Sequence, residues 1–189
     1  GHEHIDWLKK NFKNVGSHEV ELTETFKSLS AALPADIQDW LTMANTRSRL
    51  RMATLYAFAS HHKMLVAGTG NKVEDFGIGF YTKYGDGGVD LSPIADLMKS
   101  EVFALAKELS VVASIQTAKP TDGLFADSRS DEDQIGATYD ELEWAMNFLS
   151  DLGSYTKLTE RQEIVLDIYN RMHKANQHKM NPIPVCIIP

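Results

Sequence analysis

The run Lys63-Met-Leu-Val-Ala-Gly68, closed by Thr69-Gly70, constrains this chain most. It is short, apolar and bounded by glycine, which is the pattern of a buried parallel strand running into a turn. Such a strand has both faces covered, so helices must pack on it. The rest of the sequence supplies them. Helical spacing marks Ile5–Phe12, Thr23–Leu33 (stopped by Pro34), and a long stretch from Ala35 to His61 with Asn45 as a candidate break. Further helices are expected over Ile94–Leu109, with a break near Lys99, and over Val111–Gln116, Tyr139–Leu152 and Leu158–Gln177. Only His18–Leu22 alternates like a second strand. Helices alternating with strands predict an α/β fold with a mainly parallel sheet. Two strands are too few for a stable parallel sheet, so strands from outside this sequence are expected to complete it.

The 189 residues fit one domain over 1–189, with 43% hydrophobic and 24% charged residues as in ordinary globular proteins. The net charge of −7 argues against a non-specific nucleic-acid surface. An anionic ligand would need the few basic residues gathered in one place. No apolar run approaches the roughly 20 residues that span a bilayer. The single cysteine, Cys186, excludes an internal disulfide and suggests a cytoplasmic home. It sits in the apolar tail Ile183–Ile188, where a small buried hydrophobe is expected. Three prolines, Pro182, Pro184 and Pro189, keep the stretch from Asn181 to Pro189 non-helical. The start, Gly1-His2-Glu3-His4, has neither Met nor the apolar stretch of a signal peptide, as expected of a chain cut from something longer.

Four segments could carry chemistry. Val66-Ala-Gly-Thr-Gly-Asn-Lys-Val-Glu74 is a strand end turning into a helix start, where backbone N–H groups favour an anion. Thr69 adds a hydroxyl, and Glu74 could offer a carboxylate to Mg²⁺ beside that anion. A plain turn with Glu74 on the surface is the competing reading. Gly79-Phe-Tyr-Thr-Lys-Tyr-Gly-Asp-Gly-Gly-Val-Asp90 combines tight-turn glycines with rings able to stack on a base. It also suits a simple turn at Asp86-Gly87. Arg47-Ser-Arg-Leu-Arg51 could meet phosphate or carboxylate, with Arg47 and Arg51 pointing together and Arg49 elsewhere. A solvated helix face competes there. Lys119-Pro-Thr-Asp-Gly-Leu124 opens a polar loop, Ala118–Gly136, that reads as mobile. Its Asp127, Asp131, Glu132 and Asp133 lack calcium-loop spacing and read as solvated charges or caps for the helix at Tyr139. The histidines do not form a zinc pattern.

Together these segments resemble the ammonia-dependent NAD synthetases. The distinctive blocks are Gly68–Glu74, Gly79–Asp90, Leu91–Lys99, Lys119–Leu124, Asp131–Gly136, Tyr139–Leu142, and His178-Lys179 followed by Pro182 and Pro184. They keep the family's order from about His4 to the end. The resemblance implies a three-layer, doubly wound parallel sheet, Rossmann-like and of the adenine nucleotide alpha hydrolase-like type. It implies a ligase that adenylates the nicotinate carboxylate of deamido-NAD with ATP, then lets ammonia displace AMP to give NAD. By matching positions, Thr69 and Thr121 would touch ATP and Lys99 its phosphates. Glu74 would hold Mg²⁺. Arg49, Lys83, Asp90, His178 and Lys179 would contact deamido-NAD. Arg47 and Arg51 receive no such role. The family is a homodimer with deamido-NAD at the subunit interface, and Ala35–His61 is a candidate dimer surface.

The family's opening strand, its Ser-Gly-Gly-x-Asp-Ser pyrophosphate loop, and the helix and strand after it have no counterpart in this sequence. That loop also carries the second Mg²⁺ carboxylate, so catalysis by this chain alone is not expected. No glutaminase domain is found, so free ammonia is the expected nitrogen source. Three other readings compete: a non-catalytic nucleotide-binding remnant, a related ATP-pyrophosphatase amide ligase, and a non-enzymatic dimerisation module. The acidic stretch Asp122–Ser130 is expected to close over bound substrates.

Overall fold

The computed structural model describes residues 1–121, 130–151 and 157–188. Helices α1 (His2–Asn11) and α2 (Thr23–Ala32) lead through a short 3-10 turn at Ala35–Ile37 to α3 (Trp40–His62). A π-helix spans Lys72–Ile78. Then follow α4 (Lys99–Glu108), α5 (Ala113–Gln116), α6 (Asp131–Ile135), α7 (Tyr139–Ser150) and α8 (Glu160–Met180).

The local chemistry sets these boundaries. The Asp39 carboxylate accepts from the N–H groups of Leu41 and Thr42 at 3.1 and 3.0 Å, so α3 begins there rather than at Ala35. Asn45 does not break it. Its side chain is occupied by the Thr82 hydroxyl at 2.6 Å and cannot compete with the helix backbone. The expected break near Lys99 is instead a beginning, where Glu101 reaches back to the Met98 N–H at 2.7 Å. Ser130, Thr138 and Thr159 each cap a helix through a reciprocal box with Asp133, Glu141 and Gln162.

The core lies where the π-helix, α7 and α8 meet. Val73, Ile78, Leu142 and Val165 are each at most 1% exposed, and Ile135, Ala137, Tyr139, Ala145, Ile168 and Tyr169 complete the cluster. Each large side chain buried there contributes roughly 1.5–3 kcal/mol.

Several expectations change. Among the described residues there is no strand, only an isolated parallel bridge between Ala67 and Leu91. Gly68 donates to the Leu91 carbonyl at 2.8 Å and Asp90 to the Val66 carbonyl at 2.9 Å. Among the described residues the apolar run has that one neighbour, and a ladder needs more to propagate. Val66 is buried, but Met64 and Leu65 are each 67% exposed. His18–Leu22 forms no strand among the described residues, and the His18 ring instead lies against Phe58 and stacks on His62 of α3. The loop expected up to Gly136 contains α6, whose Asp131 is 8% exposed, not solvated. Cys186 is exposed, and so are Ile183, Val185, Ile187 and Ile188 of the same tail. Most of the Asp122–Ser130 stretch, with Gly123, Leu124 and Asp127, lies outside the described residues.

Candidate functional site

A cleft of about 810 Å³ opens between α3, the Gly68-Thr69 turn, the loop after the π-helix, the start of α4, Lys119–Thr121 and the end of α8. Its α3 wall mixes apolar Leu41, Ala44, Met52 and Leu55 with polar Asn45, Ser48 and Arg51. Its other side carries a polar group of residues: Thr69, Glu74, Lys99, Thr121 and Lys179 all line it, so five of the residues singled out in the sequence converge.

At the polar side, the Lys99 ammonium meets Glu74 Oε1 at 2.6 Å. The two side chains are only 19% and 14% exposed. Such a pair is costly to break one-sidedly, because the remaining charge stays desolvated. The π-helix places Glu74 in its first turn, where Asn71 caps the Glu74 N–H at 3.1 Å. The first residue of α4 places Lys99 opposite. Lys99 also lies over the ring of Tyr139, 4.5 Å from its centroid. The Tyr139 hydroxyl donates to Asp131 at 3.3 Å. Burial, then Glu74, then Asp131 hold that phenol protonated, far above its ordinary range.

The Gly79–Asp90 loop is pinned from two sides. From α8, His173 Nδ1 meets the Gly77 carbonyl at 2.6 Å, Asn176 donates to Ile78 at 2.8 Å, and Lys179 donates to Gly79 and Tyr81. These three residues share one face of α8 and satisfy carbonyls left open where the π-helix ends. From α3, Ser48 and Asp86 exchange two bonds: the hydroxyl donates to the carboxylate at 2.8 Å and accepts from the Asp86 N–H at 3.0 Å. Gly85 is needed there, since a Cβ would lie 2.2 Å from Ser48 Oγ.

The other expected ligand residues lie apart from the cleft lining. Arg49 is exposed and donates to the Lys83 carbonyl at 3.3 Å, while Lys83 reaches the His178 carbonyl. These three form one basic rim. Asp90 accepts from the Tyr56 hydroxyl at 3.0 Å and the Val66 N–H at 2.8 Å, a structural role the sequence did not signal. The two outer arginines also part. Arg47 lies 4.2 Å over the Phe26 ring, whereas Arg51, read as a solvated face, lines the cleft. Sequence reasoning also missed Asn45, Ser48, Asp131 and Asn176 in the lining. Their signal was weak, because a polar residue on a helix says nothing about which loop it will meet.

Among the described residues, no group of three or more His, Cys, Asp or Glu side chains could hold a metal ion. Glu74 offers one carboxylate oxygen pair and no more. That suits a Mg²⁺ carried mainly by phosphate oxygens and water, and does not suit an all-protein site. No helix among the described residues is long and apolar enough to cross a membrane.

A family model described as NAD synthase matches residues 3–183. The chain is 41% identical over 162 residues to the NH(3)-dependent NAD(+) synthetase of Mycoplasma genitalium, covering 85% of this chain and 62% of that protein. It is 38% identical over 163 residues to the enzyme of the same description from Thermoplasma acidophilum, covering 86% and 64%. The chain thus spans less than two thirds of the length of these curated relatives. Its fold is similar to the structure of NMN synthetase from Francisella tularensis, with a TM-score of 0.78 and 27% identity over 98% of this chain and 70% of that one.

Proposed function

We propose, because the chain belongs to the NAD synthase family, that it carries the larger part of an ammonia-dependent NAD synthetase. The reaction is the ATP-dependent amidation of deamido-NAD, yielding NAD, AMP and pyrophosphate, as the last step of NAD biosynthesis. The carboxylate oxygen of the nicotinate ring attacks the α-phosphorus of ATP and pyrophosphate leaves. Ammonia then attacks the acyl carbon, and AMP leaves with that oxygen.

The observation that carries this reading is the largely buried Glu74–Lys99 pair lining one cleft together with Thr69 and Thr121. Lys99, beside Glu74 in that cleft, would offset charge that grows on the phosphates during adenylyl transfer. Thr69 and Thr121 would hydrogen-bond ATP. Glu74 would supply one oxygen ligand to the Mg²⁺ that accompanies ATP, which would neutralise phosphate charge and orient the leaving group. Arg49, Lys83 and His178 on the rim, with Lys179 and Asp90, would meet the anionic groups and ribose of deamido-NAD. The protein would act as a cytoplasmic homodimer, with α3 at the subunit interface, and residues 1–189 would form part of one domain. Strands contributed by the part of the relatives' length that this chain does not span would extend the Ala67–Leu91 bridge into the three-layer parallel sheet and cover Met64 and Leu65.

The similarity to an NMN synthetase favours a second reading, in which the substrate is the mononucleotide rather than the dinucleotide. One assay decides. The chain, and the same chain extended to the start of its parent reading frame, are given ATP, Mg²⁺ and ammonia with either deamido-NAD or nicotinate mononucleotide. NAD formed at the higher kcat/KM supports the first reading, and NMN formed preferentially supports the second. Neither product from the extended chain would leave a nucleotide-binding protein without turnover.

A further inference from the structure

Asp131 and Tyr139 lie beneath the Glu74–Lys99 pair, and neither has a role in the reaction as written above. Their burial is unusual for their chemistry. Asp131 is 8% exposed and Tyr139 5% exposed. Aspartate reaches that burial only when its charge is engaged. The contacts form one cluster, in which Glu74 also acts on the Tyr139 hydroxyl directly. Asp131 accepts from the Tyr139 hydroxyl at 3.3 Å, the Tyr139 ring carries the Lys99 ammonium 4.5 Å above its centroid, and that ammonium reaches Glu74 at 2.6 Å. A lysine side chain has several soft torsions and loses much rotamer freedom when fixed. An aromatic floor with a hydroxyl tethered at its far edge limits where the ammonium can sit.

Asp131 holds a second connection. Its backbone N–H donates to the Pro120 carbonyl at 3.1 Å, next to Thr121. The same residue therefore fixes the chain beside Thr121 through its backbone and Lys99 through its side chain.

We infer that Asp131 and Tyr139 are positioning residues that hold Lys99 against Glu74 and keep it in register with Thr121, so that the ammonium meets the phosphates without rearranging. This rests on the adenylyl-transfer reading above. Asp131 lines the cleft, and in this role both residues act through Lys99.

The test uses the full-length protein with Asp131→Asn, Tyr139→Phe and the double variant. Tyr139→Phe deletes one oxygen and keeps the ring under Lys99, so folding is retained. Two readouts are taken. In steady-state NAD formation, each single variant should lower kcat by about tenfold, with KM for deamido-NAD within about twofold of the parent. The double variant should fall no further than the worse single, because both residues act through Lys99. In a ¹⁵N spectrum of lysine ammonium groups, the Lys99 signal should shift or broaden in every variant while that of Lys179 stays. Single variants with parental kcat, or effects that multiply in the double, would overturn the inference, as would an unmoved Lys99 signal. If the parent protein makes no NAD, the functional reading fails by itself. The ammonium spectrum still decides whether Asp131 and Tyr139 position Lys99.

Discussion

The Lys179 ammonium donates 2.7 Å to the Tyr81 carbonyl and 2.9 Å to that of Gly79. It thereby fixes the loop that carries Lys83 and Asp90 to the end of α8. Burial lowers its pKa from the usual lysine value. A lysine that only touched substrate could be replaced without loss of stability. Here Lys179→Met should cost about 1–3 kcal/mol, because two carbonyls lose a charged donor. It should also raise KM for deamido-NAD. Urea unfolding and steady-state kinetics on one preparation check both.

Gly85→Ala should destabilise the protein by about 1–3 kcal/mol, since the new methyl would have to displace Ser48 from Asp86. Ser48→Ala leaves the space and removes only the bonds, so it should cost less, about 1 kcal/mol. Denaturant midpoints rank the two. The reverse order would show that the loop yields more easily than the Ser48–Asp86 contact implies.

Asp75 gives a pH dependence of one sign. Burial raises its pKa from 3.8 to about 6, with Glu74 and Asp86 adding to the shift. The folded protein binds this proton more tightly than the unfolded chain does. The advantage is complete below about pH 3.8 and is lost as pH rises through 6. Asp75→Asn should therefore raise the melting temperature at pH 7.5 and change it little near pH 4. A variant less stable at both pH values would contradict the assignment.

Glu141 works in the opposite sense. Hydrogen bonds from Arg161 hold its pKa down to about 2, against 4.5 unperturbed. Arg161 donates to both carboxylate oxygens at 2.7 Å and to the Gly136 carbonyl at 3.2 Å, tying α8 to the start of α7. This stability is present above about pH 4.5 and fades as pH falls towards 2. Arg161→Ala should lower the urea midpoint at pH 7, and the difference from the parent should shrink in acid.

Much of this was legible in the sequence, for reasons specific to each element. α2 and α7 were found because apolar residues recur at helical spacing, and both begin where expected, at Thr23 and Tyr139, although Thr23 is the first helical residue rather than a cap. The convergence of Thr69, Glu74, Lys99, Thr121 and Lys179 was readable only as a block pattern, since no single one of those residues announces a role. What failed is long-range. The apolar run at Lys63–Gly68 has the composition of a strand, but a strand is defined by its partners, and one bridge to Leu91 is what it has among the described residues. Asp131 has the look of a surface charge in Asp131-Glu-Asp133, and only the distant Tyr139 hydroxyl shows that it turns inward. The apolar tail at Cys186 promised burial, yet three prolines deny it a helix, and it stays exposed.

In the proposed reaction the nicotinate carboxylate is activated by adenylation in the cleft. The most direct measurement is isotope transfer from deamido-NAD labelled with ¹⁸O in that carboxylate, turned over with ATP, Mg²⁺ and ammonia by the full-length protein. One ¹⁸O should appear in AMP for each NAD formed, and the yield should collapse in Lys99→Met. Label found in inorganic phosphate with ADP as co-product, or NAD formed without label in AMP, would contradict the account.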